Sequence, residues 1–364
     1  MNLPGIQDPA LQPLVEKVAA GQRLSREDGC TLFDSFDLLG VGRLAQMVRE
    51  RLHGSKAYYV YNQHINYSNI CVNGCKFCAF GRKANQAGAY EMSLPEIFAK
   101  VEERRHEPIT EIHIVGGCHP DLPITYYLDM LRGIKDRRPE VHLQAFTAVE
   151  VAHLAGKAEM SVADTLLALK EAGLGSLPGG GAEVFSKRVR TSLCPEKLSP
   201  EGWVAVAQAA HRVGLNTNAT MLYGHMETVA ERVDHLVKLR EAQDETGGFL
   251  AFIPLSFHPA NTGLSDLAGP SAIDDLKTLA VSRLMLDNFP HIKAFWIMLG
   301  PKLSQISLCF GVDDVDGTVM EERITHMAGA ETPQGLTRRQ LETLIREAGC
   351  EPVERDTLYR VIAA

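Results

Sequence analysis

A chain of 364 residues, 45% of them hydrophobic, is long enough to bury a large core, and its net charge of -8 comes from an even mixture of signs. No basic stripe is left for nucleic acid, so small molecules are the expected partners. Eight cysteines, three clustered and five scattered, fit a reducing compartment and not a disulfide framework. No apolar run of about twenty residues offers a membrane span. Met1–Glu16 lacks the basic and apolar regions of a leader, so no membrane partner and a cytoplasmic location are expected.

Residues 9–53 read as helical. Leu14, Val18 and Ala19 lie at helical spacing, Ser25-Arg26-Glu27-Asp28 offers a capping start, and Leu44, Met47, Val48 and Leu52 form another stripe. A helical N-terminal extension over 1–54 is expected. From Tyr58 onward short β-rich runs alternate with amphipathic stretches, the pattern of βα units around a parallel sheet. Eight strands are expected: Tyr58–Ile65, Glu111–Val115, His142–Phe146, Leu174–Leu177, Thr217–Leu222, Leu250–Leu255, Ala294–Met298 and Leu308–Val312. Pro254 in the sixth argues for a strand end or a bulge. Ser93-Leu94-Pro95-Glu96 carries a cap, an early Pro and the reciprocal Glu, and Ser161 and Ser199 open similar helices. Eight βα units close an α/β barrel of the (β/α)8, TIM-like kind over residues 55–330, with ligands at the C-terminal ends of the strands. Glu331-Thr332-Pro333-Gln334-Gly335 reads as a turn before a helix from Thr337 to Glu347, within a tail over 331–364 packed on the barrel. No internal repeat is present.

The chemistry begins at Cys71-Val72-Asn73-Gly74-Cys75-Lys76-Phe77-Cys78. This C-x-x-x-C-x-x-C spacing gathers three thiolates at one end of a tight loop, and thiolates select iron–sulfur clusters or zinc. Structural zinc wants a fourth Cys or His at short spacing, and the next cysteine, Cys118, is forty positions on. A four-iron cluster held by Cys71, Cys75 and Cys78 leaves one iron open, which points to chemistry. Gly116-Gly117-Cys118-His119 follows the second strand and Pro178-Gly179-Gly180-Gly181-Ala182-Glu183 the fourth. The first reads on its own as a turn, and the second as glycines that clear space for a bulky ligand at the barrel mouth. The second lacks the Lys and Ser/Thr of a phosphate loop. Glu183 is expected to open a helix, as a cap or as a ligand contact. Cys118 reads as a packing residue. Thr220 and Tyr223 are placed to face opposite sides of the fifth strand. The histidines match no common zinc spacing, but His64, His119, His225 and His258 lie at strand ends where barrel ligands are read. Arg82, Arg190, Arg283 and Lys302 are candidates for substrate carboxylates, or simply solvated charges. No catalytic residue is singled out.

The cysteine loop, with Phe77 before its last cysteine and Ala79-Phe80 after it, resembles the C-x-x-x-C-x-aromatic-C motif of the radical S-adenosylmethionine enzymes. That resemblance implies a [4Fe-4S] cluster whose open iron chelates S-adenosylmethionine, with Phe77, Phe80, Gly116, Gly117 and Glu183 helping to seat it. It also implies an external one-electron reductant such as flavodoxin or ferredoxin. The family's Gly-Gly pair is usually followed by Glu, and here Cys118 stands instead. Further segments, His64-Ile65-Asn66-Tyr67-Ser68-Asn69-Ile70, Ala145-Phe146-Thr147-Ala148-Val149-Glu150, Ser176 through Glu183, Asn218 through His225 and Leu299-Gly300-Pro301-Lys302, resemble the aminofutalosine synthases of the futalosine route to menaquinone. Those enzymes add the 5′-deoxyadenosyl radical to the enol ether of 3-[(1-carboxyvinyl)oxy]benzoate, with rearrangement and decarboxylation. The sister family, the cyclic dehypoxanthinyl futalosine synthases, shares the cysteine loop and the Pro-Gly-Gly-Gly-Ala-Glu run. An iron–sulfur electron carrier or scaffold is the non-enzymatic alternative, for which four cysteine ligands would be expected.

Overall fold

A computed structural model describes residues 5–362. Ten strands form two parallel sheets among these residues. They are β1 (Lys56–Val60), β2 (Asn62–Ile65), β3 (Glu111–Ile114), β4 (His142–Ala145), β5 (Ser176–Leu177), β6 (Asn216–Tyr223), β7 (Phe249–Ser256), β8 (His291–Ile292), β9 (Asp314–Gly317) and β10 (Glu351–Arg355). The seven-stranded sheet runs β2-β3-β4-β5-β6-β7-β8 in chain order, with helices in the connections, and curls into a TIM-like barrel.

The seam between β8 and β2 is crossed by the β9 segment. The N–H of Ala294 donates to Asp314 O at 2.8 Å on one side, and that of His64 to Met320 O at 2.9 Å on the other. The smaller sheet, β10-β1-β9, lies beyond this seam.

Alternation along the early strands sets the two faces. Ile65, Ile112, Ile114, Leu143 and Ala145 are fully buried outward, beneath Ile97 and Val101 of the helix Leu94–Glu103 and Met130, Leu131 and Ile134 of the helix Ile124–Arg137. Each buried Ile, Leu, Val or Met side chain among them contributes about 2 kcal/mol. Their neighbours in sequence, Asn62, His64, Glu111, His113 and Gln144, are polar and meet across the ladder, Asn62 bonding Glu111, His113 bonding Gln144 and His64 stacking on His113, so the interior of the barrel is polar on this side.

The helix starts follow from their caps. Ser93 accepts from Glu96 N–H while Glu96 reaches back to Ser93, and Ser161 and Ser199 cap their helices as the sequence indicates. The N-terminal residues form a 3-10 turn, Pro9–Leu11, and helices Gln12–Ala19, Arg26–Asp34 and Leu38–His53.

Four strand expectations need correction. Tyr58–Ile65 is two strands in different sheets, broken at Tyr61. Ala294–Met298 holds no strand: β8 is only His291–Ile292, and Trp296–Leu299 is a helical turn whose Trp296 is buried, its Nε1–H donating to Gly317 O at 2.7 Å. Leu308–Val312 is a turn, and the strand lies two residues later at Asp314–Gly317, where two buried aspartates, with buried Asp313 just before them, disguise it. Pro254 neither ends nor bulges β7, since it pairs with Met221 in regular register. The Phe252 carbonyl accepts from Lys293 N–H, so alternation turns the nitrogen of Pro254 to the same side, where β8 has already ended and no ladder bond is lost.

Candidate active site

Beyond the end of β2 the chain forms the cysteine loop, and backbone bonds fix its shape. Cys71 N–H donates to Arg82 O at 2.9 Å, Val72 N–H to Cys118 O at 2.9 Å and Lys76 N–H to Leu193 O at 2.9 Å. Arg82 Nη1 binds the carbonyls of Ala79 and Gly81, so it braces the loop and does not face a ligand. The three thiols are half-buried, none is in a disulfide, and all line one cavity of about 320 Å³ at the C-terminal ends of the strands. Two more thiols stand behind them. Cys118 hydrogen-bonds Cys71, pushing the Cys71 thiol below its ordinary range, and Cys194 hydrogen-bonds Cys75, which is pushed up. Cys118 packs in the hydrophobic core, as its sequence reading has it, and also lines the cavity beside the first cysteine.

Phe77, Phe80, Gly116, Gly117 and Glu183 line the same cavity. The Gly-Gly turn lies directly on the cysteine loop. Gly117 N–H donates to Ser68 O at 2.8 Å, and a Cβ at Gly117 would come within 2.2 Å of Ile70 O. A buried carboxylate reaches this turn from just beyond β4. Glu150, capping the helix Ala148–Lys157 with Thr147, accepts from Gly116 N–H at 3.0 Å and from Tyr67 Oη at 2.9 Å. Burial raises its carboxyl, and these donors partly offset that.

In the Pro178–Glu183 loop, Gly179 has φ 84° and its hydrogen faces Asn218 O, where a Cβ would stand at 2.2 Å. Thr220 Oγ1 closes the loop by donating to Gly179 O at 2.9 Å, and Thr220 lines the cavity. Tyr223 points to the other side, to Asp275. Glu183 does not open a helix. It is left-handed at φ 53°, and the next helix, Lys187–Leu193, begins after the Ser186 cap. Its carboxylate instead meets Lys197 Nζ at 2.5 Å inside the cavity. Burial opposes the charge on Lys197, but Glu183 and Cys75 outweigh it and hold the ammonium protonated. Lys197 also sits 5.3 Å from the Phe77 ring centroid.

Of the four strand-end histidines, His64 and His258 line the cavity. His119 is turned away toward Glu91, at 2.8 Å, and His225 toward Glu227, at 2.8 Å. None of the other cations named from sequence reaches it. Arg190 holds Ala182 O and Leu198 O, Arg283 is buried on Asp313, and Lys302 lies on a separate shallow groove. Ionisable residues of the cavity that the sequence did not single out include His113, Glu150, Lys197, Asp316 and Glu322. For His113 the signal was available, as Glu-Ile-His-Ile alternates polar and apolar residues in strand fashion.

A parallel barrel that gathers three unpaired thiols and two glycine turns around one cavity at its strand ends defines a class, the radical S-adenosylmethionine enzymes. Residues 65–239 match the radical SAM superfamily, and residues 246–363 match the CofH/MqnC C-terminal region. The superfamily implies a [4Fe-4S] cluster and S-adenosylmethionine, and a set of soft thiol donors beside backbone-lined glycine turns fits both. The chain is 51% identical over 362 residues to the aminodeoxyfutalosine synthase of Thermus thermophilus, covering 98% of this chain and 97% of that one. It is 44% identical to the enzyme of that name from Streptomyces coelicolor, covering 96% and 93%. The chain belongs to the aminodeoxyfutalosine synthase family of radical S-adenosylmethionine enzymes. A cyclic dehypoxanthine futalosine synthase of Halalkalibacterium halodurans is 37% identical, covering 97% and 95%. Among solved structures, methylornithine synthase (PylB) superposes with a TM-score of 0.72 at 19% identity, covering 93% of this chain and 97% of that one, and shows the fold alone. No helix among the described residues is long and apolar enough to cross a membrane.

Proposed function

We propose that the protein joins the 5′-deoxyadenosyl group of S-adenosylmethionine to 3-[(1-carboxyvinyl)oxy]benzoate, giving 6-amino-6-deoxyfutalosine after rearrangement and decarboxylation, with methionine released. The observation that carries this reading is the 51% identity, over nearly the whole of both chains, to an aminodeoxyfutalosine synthase, against 37% to the sister cyclase. Cys71, Cys75 and Cys78 are the ligands that would hold the cluster. When bound and reduced by a flavodoxin- or ferredoxin-like donor, the cluster supplies the electron that cleaves S-adenosylmethionine.

The protein's own residues then have three tasks. Gly116 and Gly117 bring backbone within reach of the methionyl group. Phe77 and Phe80 flank the loop, and Glu183, held by Lys197, presents a carboxylate toward the polar parts of the nucleoside. Val115, Leu222, Ile253, Leu255 and Phe295 wall the cavity with apolar surface, which excludes water and offers a reactive carbon few competing partners.

Anaerobic incubation of reduced enzyme with adenine-labelled S-adenosylmethionine and 3-[(1-carboxyvinyl)oxy]benzoate tests the reading. Label is expected in a benzoate-bearing nucleoside, at one equivalent of methionine per product. Label confined to 5′-deoxyadenosine, with dehypoxanthinyl futalosine cyclised instead, would assign the chain to the sister reaction.

A further inference from the structure

This inference rests on the functional reading above and deepens it to the seat of the acceptor. The interior faces of β2, β3 and β4 carry side chains at matching levels, because the ladders pair Asn62 with Glu111, His64 with His113 and His113 with Gln144. The lower level is satisfied internally, with Asn62 Nδ2 donating to Glu111 Oε1 at 3.0 Å. The upper level is not. His113 Nδ1 lies 3.2 Å from Gln144 Oε1, which leaves that nitrogen the donor and fixes the ring. On this ring stacks His64, with centroids 4.4 Å apart and planes 8° from parallel. His64 is only 5% exposed, yet neither of its ring nitrogens has a hydrogen-bond partner among the described residues. Both rings line the cavity that the three cysteines line.

The ring nitrogens of His64 are not sealed within the protein but open on the cavity, where water or a bound molecule meets them. A neutral imidazole always carries one N–H, so His64 has a donor and no acceptor, in a place that only a molecule inside the cavity can reach. The charged groups nearby do not fill that role. Asp316 lines the cavity but faces Lys293 at 3.4 Å, and Glu111 is engaged by Asn62. Burial, with His113 and Lys293 adding to it, keeps His64 neutral. Above the ring pair the walls are apolar, formed by Val115, Leu222, Ile253 and Leu255, a slot for a flat hydrocarbon ring ending in an anionic oxygen acceptor.

We propose that His64, oriented by its stack on His113, donates a hydrogen bond to the ring carboxylate of the benzoate acceptor. The carboxylate is thereby held on the barrel floor and the enol ether, on the far side of the ring, is directed toward the cysteine mouth. His64 is then a substrate-binding residue and His113 a positioning residue.

Equilibrium binding to the reconstituted holoenzyme, with S-adenosylmethionine present and no reductant, reads this without turnover. The ligands are 3-[(1-carboxyvinyl)oxy]benzoate and its ring carboxamide. His64→Phe keeps a stacking ring without the donor and is expected to weaken the benzoate at least about tenfold, the usual loss for a hydrogen bond to a charged group. The carboxamide should bind the wild type weakly and lose little further in His64→Phe. His64→Gln, which restores an N–H, should recover much of the loss, and iron content and the effect of S-adenosylmethionine on the cluster's paramagnetic spectrum should match wild type in both variants. Equal benzoate affinity in wild type and folded His64→Phe, or an equal penalty on both ligands, overturns the inference while leaving the function intact. Failure of the wild type to bind the benzoate at all overturns the functional reading and this seat with it.

Discussion

A methyl group at Gly117 would stand 2.2 Å from Ile70 O and 3.0 Å from Cys71 Cβ, so the first thing a side chain there meets is the protein's own cysteine loop. This separates two consequences of Gly117→Val. A residue needed only for ligand space would leave the ligand-free protein as stable as before. Here the variant is expected to lose about 1–3 kcal/mol of stability by displacing the loop, and to reconstitute with less iron, both read before any S-adenosylmethionine is added. Undiminished stability and iron content, with affinity alone reduced, would return the pair to the role of clearing the ligand. The three thiols and both glycine turns were legible because their chemistry resides in residue type and short spacing. Lys197 was not, since nothing in Cys194-Pro195-Glu196-Lys197 marks it. It reaches Glu183 only because the turn after the helix Lys187–Leu193 folds back, with Arg190 holding Ala182 O and Leu198 O together.

At the scale of elements, the turn after β6 shows how a strand end is locked. Glu227 accepts from Gly224 N–H at 2.6 Å, His225 N–H at 3.0 Å and Arg232 Nε at 2.8 Å, while Thr228 caps the following helix Val229–Thr246. Burial alone would raise this carboxyl, but His225, Arg232 and the turn's N–H groups outweigh it and bring it down to about 2. A carboxyl lower in the folded than in the unfolded state stabilises fully above its unfolded value near 4.5 and loses that contribution as pH falls toward 2. Glu227→Gln should therefore cost about 3 kcal/mol at neutral pH, and the gap to wild type should narrow steadily below about pH 4.5. Denaturant midpoints taken across that range check it, and a gap that is constant with pH would show that shape, not charge, holds the turn. Helices of this kind were readable from their caps. The short strands β8 and β9 were not, because two residues cannot display a period and a strand of buried aspartates contradicts composition.

For the molecule as a whole, the barrel's closure depends on those aspartates. Each ties the β9 segment to a different element. Asp313 meets Arg283 of the helix Ala272–Met285, Asp314 accepts from Arg355 Nε of β10 at 2.6 Å, and Asp316 faces Lys293, just past β8, at 3.4 Å. The seam thus adds ion pairs to its few backbone bonds, and the C-terminal strand takes part in barrel closure through Arg355. Arg355 is fully buried and also lies 4.1 Å over the Tyr359 ring. Arg355→Met should cost about 3–5 kcal/mol, because it leaves the Asp314 carboxylate buried without its partner, a large part of the whole stability of a typical domain. Adding Asp314→Asn removes the stranded charge while keeping the oxygen that accepts from Asp316 N–H at 2.6 Å, so the double variant should regain most of that loss. Denaturant unfolding of the two single variants and the double variant measures the coupling. Hydrogen exchange at β1, which β10 covers along Lys56–Val60, locates it. If Arg355→Met and the double variant were equally unstable, packing against Tyr359 and not the charge would be what secures the seam, and exchange in β1 should then rise equally in both.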